Sequence, residues 1–250
     1  MFIPRSIFSV KKDRADYRDY SYNFPENNEP EESVDLRPWC SPVEDQLQLG
    51  SCVGQAIVGA FEMTINKLYP DRFVDLSRLF VYYNARYLDG YTDEDVGTYV
   101  RNGIKAVNKW GVCKEEVWPY LVERFAQAPS IPCYQDASAR LITNYYRIRT
   151  RKDMIGALNL NYPVVISMKV YDSFYELNEP GIDVMPMPGP KEELIGGHAV
   201  TLVGYDLIKS QFLARNSFGA DWAMNGYFWV PFDFVPNNFM DCWIFDIELT

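Results

Sequence analysis

The 250 residues contain one histidine, His198, so any chemistry that needs an imidazole must use it. Cys52 stands in Gln46-Leu-Gln-Leu-Gly-Ser-Cys52-Val-Gly-Gln-Ala56, where a glycine-containing loop gives way to an apolar run with helical spacing. A thiol at a helix N-terminus feels the positive end of the dipole, which favours the nucleophilic thiolate. The unpaired N–H groups of the first turn can hold an oxyanion. Gln46 lies six residues upstream, and its amide can return to the same point as a second donor. His198 sits in Gly196-Gly-His-Ala-Val-Thr-Leu-Val-Gly-Tyr205, behind two glycines that let another backbone approach. Asn216 follows a further strand, in Arg215-Asn-Ser-Phe-Gly219. Each has an ordinary explanation when taken singly: a small buried hydrophobe, a satisfied histidine, a turn asparagine.

The elements that must position these residues follow from periodicity. From Cys52 to about Tyr69 apolar residues recur at three- and four-residue steps until Pro70, which predicts a helix. A second helix is expected over 77–88 with Ser77 as cap, and a third over 99–110 with Gly111 behind it. Thr150 with Asp153 resembles a capping box opening a helix through Leu160. The period then changes to two. Strands are expected over 162–170, 199–205, 211–215, 226–230 and 243–249. The segment 178–197, with four prolines and four glycines, is expected as a long functional loop. Helices first and strands later predict an α+β protein with a helical lobe and a sheet-rich lobe. Residues 1–33 read as an extension without its own core; 23–33 are acidic and carry two prolines.

Taken together, in the order Gln, Cys, His, Asn, these residues resemble the papain-like cysteine peptidases, in a bacterial or phage branch. The resemblance rests on Gln46 with Cys52, on His198-Ala199-Val200, on Asn216-Ser217-Phe218-Gly219 and on Gly226-Tyr227. Asp35-Leu36-Arg37 and the stretch from Gly111-Val112 to Trp118-Pro119-Tyr120 add to it, and it covers about residues 34–249. It implies a papain-like two-lobe fold, with a helical lobe over about 34–130, an antiparallel β-barrel-like lobe over about 131–250, and the active-site cleft between them. It implies endopeptidase activity through a Cys52 thioacyl intermediate. His198 would be base and acid, Asn216 would orient it, and Gln46 with the Cys52 N–H would hold the oxyanion. Gly97, Gly196, Gly197 and Phe218 would be substrate contacts. The chain departs from the family pattern at Val53 and Phe218, each in place of a tryptophan, and at Ala223, in place of a glycine. No catalytic group is lost. The resemblance also raises the expectation of a zymogen, with residues 1–33 lying across the cleft.

Two alternatives remain at the level of sequence. One is a Cys-His-Asn acyltransferase of another family; the other is an inactive papain-like binding protein. The composition narrows the partners. Thirty-four acidic against twenty-four basic residues give a net charge of −10, which disfavours nucleic acid and anionic membranes as partners. The expected partners are peptides or proteins, and the expected state is a monomer. No apolar stretch has the length of a membrane span or a signal-peptide core, so a cytoplasmic location is expected, although family members are often secreted or lysosomal. Five cysteines without a Cys-x-x-Cys, and a single histidine, argue against a zinc or dithiol redox site. No cofactor is expected. Cys40, Cys113, Cys133 and Cys242 are expected as reduced buried thiols.

Overall fold

The computed structural model describes residues 3–250; Met1 and Phe2 of the N-terminal extension lie outside the described residues. After a short strand β1 (Ser33–Asp35), the chain builds helices α1 (Cys52–Leu68), α2 (Arg78–Asp89), α3 (Val100–Trp110) and α4 (Ile131–Ala137). Ser77 Oγ accepts from Phe80 N at 3.1 Å and opens α2; Gly90, at φ 80°, closes it in the left-handed conformation that glycine adopts without strain. α1 is buried on nearly every face because it lies between the other helices and the sheet.

The second lobe contains β2 (Arg140–Arg147), α5 (Arg151–Asn159), β3 (Val164–Tyr171), β4 (Leu194–Asp206), β5 (Gln211–Arg215), β6 (Tyr227–Pro231) and β7 (Phe239–Leu249). The expected capping box is present: Thr150 Oγ1 accepts from Asp153 N, and Asp153 accepts from Thr150 N. The strands pair in the order β2-β7-β3-β4-β5-β6, all antiparallel, with β1 added along β4. Register shifts at 142/145, 167/168 and 202/204 bend this sheet. It curves without closing into a barrel, its ends being β2 and β6. The long irregular segment is shorter than expected, because β4 already begins at Leu194.

Residues 3–31 form a strap that packs on both lobes. Ile3, Ile7 and Phe8 join the core of the sheet lobe, and Val10 joins the core shared by α1, α3 and the strands. Further on, Arg147 N donates to Tyr20 O at 2.7 Å, and the Tyr22 ring sits against Tyr146 and Tyr162.

Candidate active site

α1 begins at Cys52, and its cap residue Ser51 makes no side-chain bond to the helix N-terminus. The Ser51 hydroxyl instead meets Tyr120 Oη at 2.6 Å, which leaves the first-turn N–H groups free for a ligand. The loop before the cysteine is held from three directions. Asp95 accepts from Gly50 N at 3.0 Å, Tyr120 Oη donates to Gln46 O at 2.9 Å, and Gln46 N donates to Ser217 O at 2.8 Å.

The Gln46 side chain is fully buried, donating through Nε2 to Leu49 O at 2.9 Å and accepting from Ser217 Oγ at 2.6 Å. Its second Nε2 proton is left over. Ser217 follows Asn216, so this one bond ties the Gln46 loop to the asparagine's turn.

β4 carries His198, and β3 fixes it by register opposite Met168. His198 Nε2–H donates to Asn216 Oδ1 at 2.7 Å, and Nδ1 has no partner among the described residues. Phe218 stacks on the imidazole at 5.0 Å between centroids and 26° between planes. An aromatic face there excludes water from the His198–Asn216 bond, as expected of the ring that replaces tryptophan. The Cys52 thiol lies at the backbone N–H groups of Ala199, Val53 and Cys52, which favour its ionised form.

The strap crosses this group. Gly197 N donates to Phe8 O at 3.1 Å, Val10 N to Gly197 O at 3.2 Å, and Lys11 N to Thr98 O at 3.1 Å. Residues 8–11 thus bridge β4 on one wall and the strip before α3 on the other. Gly97, at φ 62°, and Gly196 admit this close approach, since a Cβ on either would meet the strap's carbonyl oxygens at Ser9 and Phe8. The Phe8 ring stands edge-on to His198 at 5.5 Å and touches Phe174, Tyr175 and Phe218. Dry surroundings act on the titrating groups. Burial pushes the Cys52 thiol up to about 12, and burial pulls His198 down to about 4 against the bond to Asn216.

Gln46, Cys52, His198, Asn216 and Phe218 therefore converge on one point, while Gly97, Gly196 and Gly197 line the strap on either side of it. A thiol at a helix N-terminus, an imidazole oriented by an amide and two spare N–H donors form a set suited to acyl transfer. The chain matches the model of the papain family of cysteine proteases over residues 30–238. The chain belongs to the papain family. It is 32% identical to xylellain, a cysteine protease from Xylella fastidiosa, with a TM-score of 0.91 over 98% of each chain. A peptidase C1-like protein of Acanthamoeba polyphaga mimivirus is 36% identical over 211 residues, 80% of this chain and 68% of that one. Procathepsin L 3 of the Tenebrio molitor larval midgut shares the fold, with a TM-score of 0.72 at 20% identity over 96% of this chain and 76% of that one. The family members are hydrolases acting on proteins and peptides, and this chain is a papain-like cysteine peptidase.

Motif reading missed Asp95, Tyr120 and Ser51, which hold the nucleophile's loop. Asp95 stands two residues before Gly97, but nothing in its spacing shows that it bonds Gly50, 45 positions away. No helix is long and apolar enough to cross a membrane, and no metal-binding cluster occurs among the described residues.

Proposed function

We propose that this papain-family protein is a latent cysteine endopeptidase whose own strap, residues 3–13, fills the cleft. The observation that carries the reading is the His198–Asn216 bond beside a cysteine that opens a buried helix. In the open cleft, His198 Nδ1 takes the Cys52 proton. The sulfur attacks the substrate carbonyl, and the Cys52 N–H and Gln46 Nε2 hold the oxyanion. His198 then gives its proton to the leaving amine as the C–N bond breaks. Water attacks the thioester, its proton passes to His198, the acid leaves and the thiol is restored. Gly97 and Gly197 would pair with substrate backbone where they now face the strap, with Gly196 and Phe218 beside them.

The strap's direction supports latency. It runs from the aromatic group at His198 towards Thr98 and Tyr99, whereas family substrates place their acyl side along that strip. The chain is thus threaded in reverse of a substrate. The dry cleft also keeps thiol and imidazole neutral, a poor nucleophilic pair. The test is labelling with an epoxysuccinyl peptide followed by peptide mapping, on the full chain and on Phe8→Ala. An adduct on Cys52, faster in Phe8→Ala and absent in His198→Ala, is expected. An adduct on another cysteine, or none in either chain, overturns the assignment.

A further inference from the structure

Asn216 stands in the wall of a cavity of about 10 Å³, together with Gln55, Ala199, Arg215 and Ser217. A volume of that size is the minimum that holds one water. Four polar atoms of this wall make no well-formed hydrogen bond among the described residues: Asn216 Nδ2, Arg215 Nε, and both Gln55 Oε1 and Nε2, although the Gln55 amide also faces the Tyr120 hydroxyl. All three residues are more than nine-tenths buried, Gln55 at 5%, Asn216 at 4% and Arg215 at 6% exposure. Other polar groups of the wall are committed elsewhere. Ser217 Oγ donates to Gln46 Oε1, Thr201 Oγ1 donates to Ala56 O at 2.8 Å, and the Glu44 carboxylate is paired with Arg78 at 3.1 Å. Of the four unpartnered atoms, Gln55 Oε1 is the acceptor.

We propose that Gln55 is a positioning residue for the Asn216–His198 pair, acting through one water in this cavity. The water accepts from Asn216 Nδ2 and Arg215 Nε and donates to Gln55 Oε1. The inference rests on His198 as the base. An asparagine amide can sit either way round, and its free end decides which. With Nδ2 held towards the cavity, Oδ1 faces His198, so the imidazole must carry its proton on Nε2. Nδ1 is then bare and can take the thiol proton. With the amide reversed, Nδ2 faces the ring, the proton moves to Nδ1, and the base is lost.

The single histidine makes this directly readable. ¹⁵N-histidine labelling of the full chain reports the tautomer of one ring with no other signal. The parent should show protonated Nε2 and bare Nδ1 at neutral pH. Gln55→Met, which fills the space without an acceptor, should shift the ring towards the Nδ1–H tautomer and lower kcat about 10–100-fold with KM unchanged, the range found where a bond that orients a metal-binding histidine is lost. Gln55→Glu, which keeps an acceptor, should restore both. Should the methionine variant not fold, Gln55→Asn carries the same test, its amide being too short to reach the water. A parent-like tautomer in Gln55→Met or Gln55→Asn overturns the proposal even if kcat falls. So does a Gln55→Glu ring as shifted as that of Gln55→Met. The tautomer needs no turnover, so a chain with the expected shifts but no peptidase activity would leave this inference standing and sink the proposed function alone.

Discussion

The four proposed site residues should not all fail alike. His198→Ala leaves no other imidazole in the chain, so its residual rate should fall to that of Cys52→Ala. Asn216→Ala keeps the base and loosens only its orientation, and should retain more activity than His198→Ala; equal losses would argue against an orienting role. Gln46→Ala removes the proposed oxyanion donor, and loss of such a donor typically costs about 2.7–4 kcal/mol, or about 10²–10³ in kcat. It also frees Ser217 Oγ, so circular dichroism must show an intact fold before the loss is assigned to the oxyanion. That these four residues come together was legible in the sequence because their types and order match the papain pattern. Asp95, Tyr120 and Gln55 were not. Their roles come from groups between 45 and 161 positions away that only the folded chain brings near, and an aspartate or tyrosine in a loop has no spacing to betray that.

The helices α1, α2, α3 and α5 and the strands β3–β7 were legible, to within a few residues at most ends. β2 was not. Its register shift between Ile142 and Tyr145 breaks the alternation that would have marked it. From its own residues the strap was legible only as an extension, since it has neither helical nor strand period; its path across the cleft was expected from the family resemblance alone. Its energetics make the next prediction. Phe8 is 4% exposed among His198, Phe174, Tyr175 and Phe218. Truncating a buried phenylalanine costs about 3–5 kcal/mol. Part of that falls on strap docking alone, because the cleft can rewet, so Phe8→Ala should raise turnover of a small peptide by at least about tenfold. Turnover equal to the parent's in a folded variant would mean that the strap does not gate the cleft. Deleting all of 1–32 is the poorer experiment. It would also bare Tyr146 and Tyr162, which the strap covers beyond Tyr20, and remove Asn28, whose amide donates to Gly156 O at 3.0 Å.

Across the whole molecule the strap couples two proton sites that pull in opposite directions. Asp13 is anchored where both lobes meet. Its backbone N donates to Asp241 at 2.8 Å, and its carboxylate accepts from Trp243 Nε1 at 2.9 Å and pairs with Arg147 at 3.2 Å. Arg147 also bonds Asp241, and Arg101 pairs with Asp19 at 2.6 Å. Burial, then the charge of Asp241, pushes Asp13 up to about 6 from the usual 3.8, against Trp243, Arg101 and Arg147. Docking therefore takes up a proton at Asp13, and this site tightens the strap as pH falls through 6. His198 works the other way. Its docked value of about 4 lies below the ordinary 6.5, so docking expels a proton, and this site loosens the strap as pH falls through 6.5. Between pH 7 and pH 5 the two effects therefore oppose each other in the parent. Asp13→Asn cannot take up the proton, which leaves His198 uncompensated. The parent's turnover, divided at each pH by that of Phe8→Ala, carries both effects, whereas the same ratio for Asp13→Asn carries that of His198 alone and should rise more steeply towards pH 5. Parallel profiles for parent and variant would show that Asp13 stays ionised when docked, and that the carboxylate pair around Arg147 anchors the strap without sensing pH.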